Sequence, residues 1–380
     1  MEIKKVAILI KTSIQFDGRV ISQIESLSEH FNNTEFRIFL LSDGPYNILF
    51  SKNCVIDEIN LFSRKLPKSN IFQLFKMLEF GVKSFFKIRK FKPDVLHIHD
   101  DTSSFGGGLF KVYYPQTKVI YDDHELKYIR SNKLFDKLMF FLEYILYRKS
   151  DIVIVANNER RRLSSVIYNR KNIEVHENYF HNRKTKKNKV DSLIKLINKI
   201  NLLHLEGQKI ILHQGQINEV RGLKEFIKLA NKLPDNFIIL TIGISYVQYQ
   251  HLLKSVNTLK HTRLIFGGYI EYEHISEVYK IIDYSLIIYK NFNLNNKYCA
   301  PNRVYLSYYF GKPIIVNSEN HVLFNFIKNT NSGVLLEENS NLDSVFKELD
   351  GLSNLTNHSY VRNDINPKKI IDIYYKLIKS

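Results

Sequence analysis

Short apolar segments recur along this chain, and each runs into polar residues at its C-terminal end: IKKVAILI (3–10), FRIFLLSD (36–43), PDVLHIHD (93–100), KVIYDDHE (118–125), DIVIVANNE (151–159) and IEVHENYF (173–180). Between them stand helical patterns such as DGRVISQIESLSEHF, in which Val20, Ile24, Leu27 and Phe31 share one face. Apolar strands alternating with helices predict an α/β fold on a parallel sheet. Ligands of such sheets bind beyond the C-terminal strand ends, so Asp17–Arg19, His97–Asp100 and Asp122–Glu125 are expected to converge there.

The same alternation restarts in the second half with KIILHQG (209–215), GLKEFIKLANKL (222–233), FIILTIG (237–243), RLIFGG (263–268), YSLIIY (284–289) and KPIIVN (312–317). A chain of 380 residues exceeds what one core usually supports, which also argues for two domains. The expected division is 1–185, a linker over 186–208 with a basic run ahead of it, and 209–364. A closing helix at about 365–380 can return to the first domain.

Two distant cysteines, Cys54 and Cys299, allow neither a disulfide framework nor a cysteine zinc site, and fit a reducing cytosol. The N-terminus lacks a signal-length apolar core, and no segment approaches the roughly 20 apolar residues of a spanning helix. The excess of 55 basic over 38 acidic residues, net +17, favours polyanionic company. The lysines are dispersed, however, and form no basic stripe interleaved with aromatics, so no nucleic acid is expected.

Residues 71–92 predict an amphipathic helix with Ile71, Phe75, Leu78, Val82 and Phe85/Phe86 on one face. Lys83, Lys87, Arg89, Lys90 and Lys92 cluster late in it. The reading adopted is a helix covering the sheet through that face with its basic end in solvent. Lying on an anionic membrane surface is the alternative.

Two segments of the second half carry the clearest chemistry. HQGQINEVRGLKEFI (213–227) is a strand, a loop holding Arg221, and a helix starting after Gly222, a plausible diphosphate cradle of guanidinium and helix amides. YCAPNRVYLSYYFGKPIIVN (298–317) sets Pro301, Asn302 and Arg303 at the mouth of another helix. No His, Asp or Glu set has metal-ligand spacing, and Asp122 and Asp123, adjacent on a strand, point to opposite faces and cannot act as a glycosidase pair.

In order and spacing these segments resemble the retaining glycosyltransferase family four, of the bacterial capsule, O-antigen or glycolipid type. The likeness runs through DGRV (17–20), PDVLHIHD (93–100), VIYDDHEL (119–126), SDIVIVANNERRRL (150–163) and Asn178, then GQINEVRGL (215–223), FGGYIEYEHISEVYKIIDYSLIIY (266–289) and PNRVYLSYYFGKPII (301–315). The resemblance implies a GT-B architecture, two Rossmann-like domains facing a cleft, with the donor on the second and the acceptor on the first.

It further implies a sugar moved with retention from a nucleotide-sugar co-substrate to a glycan or lipid-linked acceptor, in surface polysaccharide or glycolipid assembly, with no metal and no other cofactor. Arg221 matches the basic residue at the donor diphosphate, and His124 the histidine near the donor sugar; capping of its own loop is the alternative for His124. Donor contacts are expected from Gly215, Gln216, Gly268, Tyr269, Ile270, Tyr298, Pro301, Asn302 and Arg303. Acceptor contacts are expected from Asp17, Gly18, Arg19, His99 and Asp100.

The sequence departs from the family at its paired glutamates, whose places fall on Tyr298 and Leu306, and at a second basic residue, replaced by Gln216. Leucine cannot accept hydrogen bonds from a ribose. Two alternatives therefore accompany the transferase: a catalytically degenerate homologue that binds glycans or partners, and a glycosyltransferase acting on nucleic acid. The expected setting is cytoplasmic, with the inner membrane face as a possible support.

Overall fold

The computed structural model describes residues 2–11, 14, 17–42, 50–67, 69–126, 134–179, 191–353 and 367–379. The chain divides into two compact units, Met1–Asn178 with Asn366–Ser380, and Tyr179–Ile365.

The first unit carries strands β1 (Lys5–Ile10), β2 (Glu35–Leu41), β3 (Cys54–Ile59), β4 (Val95–His99), β5 (Lys118–Asp123), β6 (Ile152–Val155) and β7 (Ile173–Val175). Its helices are α1 (Gly18–His30), α2 (Asn70–Phe91), α3 (Ser104–Tyr113), α4 (Leu134–Lys149) and α5 (Asn158–Ile167). All strand pairs are parallel, in the order β3-β2-β1-β4-β5-β6-β7, with Ile8 beside both Ile38 and His97. The order reverses between β1 and β4, which makes that gap the switch point of the sheet.

Strand alternation sorts the core. Ala7, Leu9, Leu96, Ile98, Val119, Tyr121 and Val153 meet Phe80, Phe85, Ile88, Phe110, Leu146 and Tyr147 from α2, α3 and α4. Their neighbours His97, His99 and Asp122 look the other way, toward α1. Glu143, which interrupts the apolar run of α4, is fully buried and accepts hydrogen bonds from Tyr121 Oη at 2.8 Å and Tyr168 Oη at 2.7 Å. Two phenolic donors thus satisfy the buried carboxylate.

The α2 expectation needs correction. The helix does cover the sheet, but through Met77, Phe80, Phe85, Ile88 and Phe91; Ile71, Phe75, Val82 and Phe86 face outward. Six of the seven first-unit strands carry the segments read from the sequence. β3, in which the adjacent Asp57 and Glu58 break the apolar run, was not foreseen and forms the outer edge, where charged residues are tolerated.

The second unit holds β8 (Lys209–Gln214), β9 (Phe237–Ile242), β10 (Leu264–Gly268), β11 (Tyr284–Ile287), β12 (Ile314–Val316) and β13 (Gly333–Leu335). The helices are α6 (Asp191–Leu205), α7 (Leu223–Asn231), α8 (Tyr246–Ser255), α9 (Ile275–Ile281), α10 (Leu294–Lys297), α11 (Asn302–Tyr309), α12 (His321–Thr330) and α13 (Leu342–Ser353). The sheet is again parallel, β10-β9-β8-β11-β12-β13, and reverses between β8 and β11. Residues 180–190, the basic run and start of the expected linker, lie outside the described residues. The rest of that linker is largely α6, which buries Leu193, Leu196 and Ile200 among Ile210, Leu212 and Ile238. A final helix, α14 (Lys368–Lys379), packs on α1 in the first unit.

β12 and β13 are held so close that a Cβ at Gly333 would stand 2.1 Å from the carbonyl oxygen of Ile314. Only backbone movement can relieve that overlap. Gly333→Ala is expected to destabilise the second unit by about 1–3 kcal/mol. A lower urea midpoint with unchanged far-ultraviolet circular dichroism at zero urea is the check.

Candidate functional site

At the first switch point the C-terminal ends of β4 and β5 meet the N-terminus of α1. Asp17 caps that helix by accepting from the Val20 amide, and Arg19, two residues on in the first turn, points inward. Arg19 is only 5% exposed. It donates to both carboxylate oxygens of Asp122, at 2.5 and 3.3 Å, and to Asn178 Oδ1 at 3.0 Å. Gln23, one helical turn on, adds a third donor to Asp122 at 2.7 Å and reaches His176 Nδ1 at 3.2 Å.

The histidines assemble around this carboxylate. His97 and His99, two apart on β4, stack with ring centroids 4.2 Å apart. His97 Nδ1 meets Tyr374 Oη of α14 at 3.1 Å, and His99 Nδ1 meets His124 Nε2 at 3.2 Å. His124 Nδ1 stands 3.8 Å from Asp17. Burial works against a charged His124, but Asp122 and Asp17 outweigh it and raise its pKa. Burial alone would raise Asp122 too, yet Arg19 and His124 hold it well below the usual carboxylate range.

Asp123 faces the opposite side, where Tyr147 donates to it at 2.5 Å. The two adjacent carboxylates are therefore separated by the sheet, as strand alternation requires. His97, His99 and Asp122 bring their ligand atoms within 4.8 Å of one another, a set that no sequence spacing announced. Asp122 is already saturated by Arg19 and Gln23, and a cation placed there would face the guanidinium.

Of the residues expected at the acceptor, Gly18, Arg19 and His99 are buried, the latter two as partners of Asp122 and His124. Asp17, Asp100 and His124 keep partial exposure. Asp100 holds a left-handed backbone, φ 62, and caps the turn Asp101–Ser103 by accepting from the Asp101 amide. Gln23, His176 and Tyr374 were not foreseen. Nothing in their local sequence marks them, because only the fold brings them to Asp122 and His97.

At the second switch point the loop after β8 turns at Gly215 and again at Gly222, both with positive φ. A Cβ on Gly222 would lie 2.4 Å from the Ile288 side chain, so glycine is required for conformation and space alike. Asn218 accepts from the Arg221 amide and closes a short turn ahead of α7. Arg221 is thereby laid across Tyr289: its guanidinium sits 4.2 Å from the ring centroid and donates to the phenolic oxygen.

Arg303, in the first turn of α11, approaches the same ring at 5.3 Å. It is 6% exposed, donates to the Gln214 carbonyl, and its Nη2 has no hydrogen-bond partner among the described residues. Two guanidinium groups therefore share one tyrosine at the strand ends, although Gln216 itself is exposed and uncharged. Tyr289 is fixed in turn by Asn317, which bonds its amide and its carbonyl. The tyrosine was not predicted, since an aromatic residue at a strand end carries no signal of its own.

The remaining expected donor residues divide. Gly268 turns at φ 67 after β10, leaving Tyr269 71% exposed, while Ile270 packs on the apolar cluster below. Pro301 is the N-cap of α11 with Asn302 beside it. Tyr298 rests near His321 at 6.0 Å between ring centroids. Leu306 is buried among Leu212, Ile238 and Tyr279.

No protein-family model matches the sequence, and no curated protein does. Solved structures match over nearly the whole chain. A sucrose-phosphate synthase from Thermosynechococcus elongatus is 14% identical with a TM-score of 0.71, covering 99% of both chains. A glycosyltransferase from Rickettsia africae is 14% identical with a TM-score of 0.70, covering 100% of both. HepE from Anabaena, in complex with UDP, is 12% identical with a TM-score of 0.64, covering 99% of both. The fold is GT-B.

Within this GT-B chain the buried histidines set an acid limit. Burial lowers His97 to about 4, and His176 and His213 to about 3, with Arg19 adding to burial at His176 and Arg303 at His213. Unfolded, each takes a proton near 6.5. Folding thus favours the neutral rings, and their contribution, complete above about 6.5, is lost as pH falls toward 4. Asp123, raised by burial to about 6, acts in the opposite direction over part of that window. The lowering of His97, His99, His176 and His213 outweighs Asp123, Glu177 and His124, whose raised values act the other way, and gives a lower urea midpoint at pH 4.5 than at pH 7. A midpoint that rose on acidification would contradict the assignment.

Proposed function

We propose that this protein moves a sugar from a nucleotide-diphosphate donor to a glycan or lipid-linked acceptor, with retention of configuration and without a metal ion. The observation that carries the reading is the pair Arg221 and Arg303 on one ring, Tyr289, at the switch point of the second sheet. Two fixed guanidinium groups beside a helix N-terminus match a diphosphate in charge and geometry. The UDP held by HepE, which shares the fold, is consistent with a uridine donor.

In the proposed reaction the bond from the anomeric carbon to the donor phosphate breaks, and a bond to the acceptor oxygen forms on the same face. The acceptor proton passes to the departing phosphate oxygen. Such a step needs stabilisation of the leaving charge more than a carboxylate base, which suits a site whose buried carboxylates are already engaged. We assign that stabilisation to Arg221 and Arg303, and a hydrogen bond to the transferred sugar to His124, whose orientation His99 and Asp17 set. The cytosol, where Cys54 and Cys299 stay reduced, is the setting in this reading, with surface polysaccharide or glycolipid as the product.

A second reading, a glycan-binding homologue without turnover, draws on Leu306. The side chain at the place of the family's ribose-binding glutamate is 2% exposed in an apolar cluster and offers no acceptor. Incubation with a panel of nucleotide sugars and lipid-linked acceptors, followed by mass spectrometry, separates the two. Product formation supports transfer, whereas donor binding without product supports the second.

Arg221→Ala and Arg303→Ala are each expected to weaken UDP binding in calorimetry and to lower turnover about a hundredfold, or roughly 3 kcal/mol. Arg221→Lys restores the charge but not the fork and should rescue in part. UDP affinity indifferent to both alanine variants refutes the cradle. With the diphosphate charge balanced by arginine, turnover is expected to survive EDTA unchanged. Loss restored by magnesium or manganese would assign that balance to a metal instead.

A further inference from the structure

The outer surface of the first unit has an apolar stripe that none of the described residues covers. Along α2, Ile71, Phe75, Val82 and Phe86 are 68%, 55%, 43% and 57% exposed. Their spacing keeps them on one side of the helix over about 22 Å. Val112 and Tyr113 of α3, which packs against α2, continue the exposed apolar surface, as do Leu134, Leu138 and Phe141 of α4, which packs against α3. Scattered exposed apolar residues need no explanation, but a row aligned along one helix marks an interaction surface.

Charge identifies the partner. Where α2 and α3 end, a hollow of about 620 Å³ is lined by Phe86, Arg89, Lys90 and Lys92 on one side and by Phe110 and Tyr114 on the other. Lys83 and Lys87, earlier on the helix, are neutralised by Glu79 and Asp57. Arg89, Lys90 and Lys92 have no acidic partner among the described residues. The C-termini of α2 and α3 each contribute about half a negative charge there, which three cations exceed. Both helices end where β4 and β5 begin, so the hollow lies at the N-terminal ends of these strands, opposite Asp122 and His124, and is a separate site.

We propose that this face docks on an anionic phospholipid bilayer, with the stripe of α2 in the interface and a lipid phosphate in the hollow between the ends of α2 and α3. An aromatic floor under three cations fits an anionic head with an apolar body beside it. Nucleic acid would use the cations but not a row of isoleucine, phenylalanine and valine. The inference stands apart from the transferase reading, and its test measures no activity.

The full chain is to be floated with vesicles of phosphatidylcholine alone or mixed with phosphatidylglycerol, at low and high salt. Association is expected with the anionic vesicles only, and less at high salt. Each surface cation strengthens such binding about fivefold. The triple variant R89Q/K90Q/K92Q should therefore partition roughly a hundredfold less, and F75S/V82S/F86S should also lose binding. A control of equal charge loss in the second unit, K195Q/K199Q/K254Q, should change little. An equal fall in the control would mean that the net charge of +17 acts without a site and would overturn the proposal.

The chain has no tryptophan, so Phe86→Trp supplies a single reporter. Its emission should shift to the blue on anionic vesicles and be quenched by brominated lipid. An unshifted, unquenched emission from vesicle-bound protein overturns the docking face. Displacement from vesicles by inorganic phosphate at constant ionic strength would assign the hollow to a free anion instead and overturn the lipid assignment. Circular dichroism of each variant confirms that the fold survives.

Discussion

The first unit is organised around one buried ion pair, Arg19 with Asp122. Two charges at 5% and 0% exposure are tolerable only because their hydrogen-bonding capacity is used. Removing one partner of such a pair costs about 3–5 kcal/mol, whereas replacing both by apolar residues is often neutral. The pair is therefore better understood as an orienting device. It ties the start of α1 to the end of β5 and leaves the histidines on β4 and after β5 at fixed distances from a permanently ionised carboxylate.

The second unit meets a similar problem by different means. Its two arginines, Arg221 and Arg303, are the groups proposed to hold an anion. They rest on the face and hydroxyl of Tyr289, and Glu225 and Glu319 instead engage Lys290 next to it. The tyrosine orients both guanidinium groups by cation–π contact. One unit thus seats its arginine on a buried carboxylate, and the other seats two on an aromatic ring.

Much of this was legible in the sequence, for identifiable reasons. Strands buried on both faces, such as β4 and β5, announce themselves as apolar runs with polar ends. Gly222 beside Arg221 announces a turn. Strand β3 did not, since its adjacent Asp57 and Glu58 read like a surface loop, and neither did β13, only three residues long. The direction of side chains was the larger loss. Arg19 and His99 stand in the predicted places but point into the core, because Asp122, distant in sequence, is what they satisfy. The stripe of α2 was visible as a stripe, but a helix with apolar residues on two sides does not declare which side the sheet will take.

The contact between Tyr374 and His97 joins residues from opposite ends of the chain. The first unit is discontinuous: its last helix follows the whole of the second unit, Tyr179–Ile365. On the ribosome, at roughly 5–20 residues per second, about 10–40 s separate the emergence of Asn178 from that of α14. Throughout that interval the surface of α1 that α14 covers, and the ring of His97, stand open to water. The nascent first unit must wait with all seven strands made but α1 uncovered while the second folds, so the order of synthesis makes the C-terminal helix the last piece of the first unit to arrive.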